Sequence, residues 1–196
     1  MRQRGFSLIE LIVVITVIGL LLVSLLPSVG AWMRNTRIRN IAESIQHGLD
    51  QARNEAVRTN ASVSFWLVSP STGDPKVMSD TCRLSSSSGA WVISVASPVG
   101  VCATNRSSFV AAHPVGDSGT GLTVSAVDAT KPTAKSATSV TFNGFGQVAN
   151  ASTAIASVSV TSAVAGSRAL TVQVSASGRV RTCDPLTASS DPRSCL

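Results

Sequence analysis

The chain has no tyrosine, only two histidines, and charged side chains at just 13% of its 196 residues. His47 and His113 are far apart in sequence, and none of the four cysteines falls in a Cys-x-x-Cys spacing, so a zinc site lacks ligands. No phosphate-cradling glycine loop and no paired carboxylates occur. Gly116-Asp117-Ser118-Gly119 imitates the surroundings of a serine-protease nucleophile, but such a serine needs a histidine within hydrogen-bond reach and an acid to orient it. His113 lies three residues upstream in the same loop and His47 on a helical stretch, so the tetrapeptide reads as turn chemistry. These absences argue against an enzyme, a resident metal and a cofactor. Aromatics, at 4%, do not interleave with basic residues as a base-stacking surface would. There is no internal repeat.

What is present is concentrated at the N-terminus. Arg2 and Arg4 precede a lone Gly5, and Phe6 opens about 20 almost wholly apolar residues interrupted by one acid, Glu10. A secretory signal has a shorter apolar core with a small-x-small site beyond it. Here the polar-to-apolar switch falls at Gly5-Phe6, ahead of the apolar run, so cleavage there leaves that run on the mature protein. Residues Phe6 to Leu26 would make about 31 Å of helix, enough to span a hydrocarbon core. The two arginines hold the N-terminus in the cytoplasm and send the remainder to the periplasm. Within such a span Glu10 costs roughly 2.5–3.5 kcal/mol unless it is partnered.

The whole Gly5-Phe-Ser-Leu-Ile-Glu-Leu11 string resembles the class III signal of type IV pilins and pseudopilins. That resemblance implies a prepilin peptidase that cuts after Gly5 and methylates the new N-terminal Phe6. It also implies that Glu10 meets the Phe6 amine of a neighbouring subunit as helices stack into a filament. Pro27 removes one helical hydrogen bond and should kink or loosen the helix; in pilins a proline here marks a stretch that can melt in the filament.

Helical periodicity resumes beyond Pro27. Ile38, Ile41, Ile45, Leu49, Ala52 and Ala56 recur at steps of three and four and form one apolar stripe. Arg37, Arg39, Glu43, Gln46, Asp50 and Arg53 fall mostly opposite, as a solvated face would. The segment from Leu49 to Arg58 resembles the helix end of the GspH/FimT branch of pilin-like proteins. After Asn60 the texture changes to Ser, Thr, Ala, Val and Gly with few charges, which suits strands and turns. Strands are expected at Ser62–Val68, Ala90–Ala96, Leu122–Val127, Ser139–Asn143, Ile155–Thr161 and Ala169–Ser175. In the first, Val63, Phe65 and Leu67 alternate with polar-side positions, as in a half-buried strand. Phe142-Asn-Gly-Phe-Gly146 also resembles a strand-turn element of the GspH/FimT head.

The expected fold is α+β and pilin-like, with a long N-terminal helix, transmembrane in its first half, packed against a β-rich antiparallel head. Residues 1–5 form the leader peptide, 6–26 the transmembrane and filament-core helix, 27–60 its amphipathic continuation, and 61–196 the periplasmic head with a disulfide-closed tail. Cys82, Cys102, Cys183 and Cys195 all lie in that head, where an oxidising compartment favours disulfides. Of three possible pairings, the short loops Cys82–Cys102 and Cys183–Cys195 are chosen. The second resembles the disulfide-closed C-terminus of many type IV pilins, and a crossed pairing that ties the tail to Cys82 or Cys102 is the alternative.

Formal charge is +6, and two of those charges, Arg2 and Arg4, would leave with the leader. Gly178-Arg179-Val180-Arg181 places two guanidinium groups two residues apart, on one side of an extended segment, after a glycine that allows a tight turn. Two such groups can grip successive phosphates. This Gly-Arg-x-Arg tail resembles that of the FimT-type minor pilins, which bind DNA during natural transformation. Arg168 and Arg193 are candidates to widen the patch, against Asp184 and Asp191. The bland account of the pair is a charged edge strand that discourages edge-to-edge pairing.

The expected function is therefore a minor pilin of a type IV pilus that helps initiate or cap the filament, with sequence-independent binding of double-stranded DNA by the tail. The alternative is a minor pseudopilin of a type II secretion system. The implied partners are other pilin subunits, the prepilin peptidase and the inner membrane, with later residence in the pilus at the cell surface.

Overall fold

The computed structural model describes residues 7–70, 74, 76–103, 108–116, 121–130 and 132–195, without the side chains of 23–27. One helix, α1 (Leu8–Thr59), runs for 52 residues, about 78 Å. Its helical span includes Pro27, where a kink or loosening is expected. Its whole predicted stripe is buried: Ile38, Ile45, Leu49, Ala52 and Ala56 fully, and Ile41 almost so. Asn60 ends the helix in the left-handed conformation, φ 49°, and donates its backbone N–H to the carbonyls of Ala56 and Val57. That αL residue satisfies terminal carbonyls that would otherwise lack partners.

Among the described residues nine strands follow: β1 (Val63–Ser69), β2 (Arg83–Leu84), β3 (Ala90–Ser94), β4 (Phe109–His113), β5 (Leu122–Val127), β6 (Ser139–Phe142), β7 (Ser157–Ser162), β8 (Leu170–Val174) and β9 (Val180–Cys183). They form two antiparallel sheets. The first has the order β2-β1-β3-β4 with β6 also paired to β1, and the second runs β5-β7-β8-β9. Both set their inner faces on the helical stripe, in one core that holds Phe65, Trp91, Ile93, Val140, Phe142, Val158, Val160 and Val172. Gly48 lets the sheet approach closely, because a Cβ there would lie 2.8 Å from both Phe65 and Trp91 ring atoms.

β1 departs from the half-buried expectation. Its outward residues are covered too: Val68 joins Ala90, Val92, Cys82 and Cys102 in a second apolar cluster, with Trp66 and Met78 against it. The excursion between β1 and β4, closed by a Cys82–Cys102 disulfide, supplies that cover. Ser64, also buried, is satisfied by the Thr141 hydroxyl at 2.8 Å. The short β2 and the largely apolar β4 were not expected, and β9 gives Val180 and Arg181 strand partners in β8.

Candidate functional site

Side chains alternate across a strand, so the registers assign each residue of the second sheet to a face. Val158, Val172 and Thr182 share one row, and Gln173 and Arg181 pair in the next. Thr182 donates to Gln46 Oε1 on the helix at 2.6 Å, which fixes its row as the inner one. Gln173 and Arg181 therefore stand on the outer face, away from the helix. Arg181 donates to Gln173 Oε1 through Nε at 2.9 Å and Nη2 at 2.8 Å, which orients the guanidinium. Arg179, two residues earlier, is exposed, and its backbone N–H donates to Ser175 Oγ at 3.1 Å. Both arginines line an open groove of about 440 Å³ whose other walls are Ala156, Gln173, Val174 and Ser175. No acid lines it.

Arg168 and Arg193 do not join this pair. They line a separate groove of about 600 Å³, between the helix and the opposite end of the β8–β9 hairpin, together with Arg39, Glu43 and Asp184. Arg193 is also committed: its Nη2 and Nε lie 2.7 and 3.1 Å from the Asp191 carboxylate. That contact lowers the Asp191 pKa to about 2 and raises that of Arg193. With two further acids present, this second groove has little net field for an anion.

Gly178 does more than permit a turn. Its φ is +80°, and a Cβ there would collide with the carbonyl oxygen of Gly146. That carbonyl accepts Arg53 Nε–H at 3.0 Å, so the helix, the turn around Gly146 and the turn before Arg179 are locked at one point. Val148 N–H adds a hydrogen bond to Ala176 O at 3.0 Å. Arg53, expected on a solvated face, is half-buried and structural. A polar residue opposite an apolar stripe gives no sign of a loop arriving from 93 residues away.

Cys183 and Cys195 are joined in a second disulfide. Cys183 pairs with Thr171 on the outer face, so the closing tail folds over the sheet one rung beyond Arg181. Near the first sheet's edge, His113 stacks on Trp91, and Ser44 Oγ accepts Trp91 Nε1–H at 3.0 Å while contacting His113 Nδ1 at 3.4 Å. This pins sheet to helix. Asp117, Ser118 and Gly119 lie outside the described residues. Among the described residues, no cluster of His, Cys, Asp or Glu is suited to a metal ion.

The first part of α1 touches nothing in the head. Leu8 through Leu22 are exposed apolar side chains apart from Thr16 and Gly19, with Glu10 exposed in the first turn. Gly5 and Phe6, the expected processing site, lie outside the described residues, as does the Pro27 side chain. Among the described residues, no helix is long and apolar enough to cross a membrane. Phe6 and the side chains of residues 23–26 of the expected span are not among them.

A long N-terminal helix with a bare apolar first part, seated in an antiparallel β head, is the architecture of a pilin-type subunit. The profile described as type II transport protein GspH matches residues 42–178, and that of the prokaryotic N-terminal methylation motif matches residues 1–26. The chain belongs to the GspH family and is a membrane-anchored protein of the minor pilin and pseudopilin class. No curated protein matches the chain. Among solved structures, the type IV minor pilin FimU of Pseudomonas aeruginosa is similar in fold, at 18% identity and a TM-score of 0.50, over 84% of this chain and 99% of that one. A second crystal form of FimU aligns at 18% identity and 0.46, over 81% and 99%.

Proposed function

We propose that this protein is a minor pilin of a type IV pilus that helps initiate or cap the filament, and that the outer face of its second sheet binds DNA through Arg179 and Arg181. The observation that carries the DNA reading is the acid-free groove lined by both arginines. Arg181 is already oriented by Gln173, so little side-chain freedom remains to be lost on binding. Both guanidiniums line one groove and serve phosphates without reading bases. In the same proposal, a prepilin peptidase cuts after Gly5 and methylates Phe6, the exposed apolar helix anchors the protein and later packs among neighbouring pilins, and Glu10 pairs with a neighbour's amine.

A mobility shift of the full chain in detergent micelles, on duplex DNA of arbitrary sequence, tests the binding. Arg179→Ala should weaken it on the order of 10-fold or more, since a hydrogen bond to a charged group contributes roughly 1.5–3 kcal/mol. The salt slope should become shallower by about one. Absence of any shift at low salt would leave the arginines as edge-strand charges. The match to the GspH profile favours a second reading, a minor pseudopilin of a type II secretion system. Deletion of the gene separates the two: loss of pili or of transformation marks the first, loss of protein secretion the second.

A further inference from the structure

Phe145 is 82% exposed, more than any other described large apolar residue of the head. Its backbone is held in a hydrogen-bonded turn. Asn143 Oδ1 accepts the backbone N–H of Phe145 and of Gln147, both at 3.0 Å, and Gly146 N–H donates to Asn143 O at 2.8 Å. Phe142 of the same turn already fills the core, so the second ring contributes nothing to packing. The turn that carries it is the one locked to the arginine turn, through the Gly146 carbonyl against Gly178 and through Val148 N–H on Ala176 O. One residue on either side of that lock stand Phe145 and Arg179.

A solvent-facing aromatic ring on a turn locked to the turn before two groove-lining guanidiniums is a combination suited to single-stranded nucleic acid, in which bases are free to stack while phosphates track the positive groove. In a duplex the bases are already stacked and the ring has no face to receive. We infer that this end of the head prefers single-stranded over double-stranded DNA, with Phe145 as the base-stacking residue. Trp32, the other strongly exposed aromatic, stands over the groove that contains Glu43 and Asp184 and lacks that electrostatic setting. The inference rests on the phosphate-binding role proposed for Arg179 and Arg181.

The test uses the full chain in detergent micelles and fluorescence anisotropy at low salt with three labelled probes of equal length: a thymidine strand, an abasic strand with the same phosphates, and a duplex. The thymidine strand should bind on the order of 5- to 100-fold tighter than the abasic one, as expected for one stacked base, and tighter than the duplex. Phe145→Ala should abolish that advantage and leave abasic and duplex binding unchanged, whereas Phe145→Trp should preserve it. Arg179→Ala should weaken all three probes. Equal binding of thymidine and abasic strands, or an unaltered preference in Phe145→Ala, overturns the inference and leaves the arginine reading standing. If Phe145→Ala instead loses only co-purification with other pilin subunits, the ring belongs to a protein interface and the inference also fails. Failure of every probe to bind overturns both.

Discussion

Replacing Gly178 by alanine should damage the head more than its place in an exposed turn suggests. Two costs combine there. An L side chain at φ +80° costs roughly 1–2 kcal/mol. The new Cβ would also run into the Gly146 carbonyl, which already holds the Arg53 guanidinium, and forced overpacking costs typically 1–3 kcal/mol more. The sum, about 2–5 kcal/mol, should lower the thermal midpoint by roughly 5–15 °C for a chain of this size. Gly166 provides the internal comparison: its φ is +77°, but no atom lies within 4 Å of its would-be Cβ. Gly166→Ala should therefore show the conformational cost alone. Both variants can be followed by tryptophan fluorescence during thermal and urea unfolding in detergent, with the urea slope expected to stay constant. Equal losses in the two variants would mean that the Gly146 contact contributes nothing, and would remove the lock between the two turns.

Arg53→Ala should cost about 1.5–3 kcal/mol through loss of its hydrogen bond to Gly146 O, and Arg53→Lys should recover only part, measured by the same unfolding. Glu10→Ala should leave membrane insertion intact or improved while impairing incorporation into filaments, as judged by immunoblots of membrane and sheared-pilus fractions; wild-type incorporation would make the proposed Glu10 pairing dispensable. Because the Asp191 carboxyl titrates at about 2 instead of 3.8, its contact with Arg193 contributes fully above pH 3.8 and is lost as pH falls through about 2. Carboxyl NMR should find that low midpoint, and Arg193→Ala should return it toward 3.8.

The helix and its stripe were legible because a 3.6-residue period needs only one element to be read. Six strands were legible from β-branched alternation and from the turn residues between them. β4 was not: Phe109-Val-Ala-Ala-His113 has no alternation, since Val110 and Ala111 pack on the main core while Phe109 and Ala112 pack on the second apolar cluster. The double burial of β1 depended on where a distant excursion folds back, which no local pattern records. The candidate site was half legible. Arg179 and Arg181 line one groove, as their spacing in an extended segment suggested, although Arg179 stands just before the strand, whereas Arg168 is close in sequence to β8 yet belongs to the far end of the hairpin. Arg53 looked like solvent-facing charge because its partner, a backbone carbonyl, leaves no mark in sequence.

The burial of the helix in the head begins at Ile38 and continues to Ala56, about 27 Å along the axis. When tension is applied through the N-terminal part of the helix, it enters the head parallel to that buried stretch. The stripe must then slide out of both sheets at once, with Thr182–Gln46 and Trp91–Ser44 loaded side by side. Such a joint fails in shear instead of peeling residue by residue, so the bond between stalk and head resists pulling far better than its modest set of polar contacts would suggest.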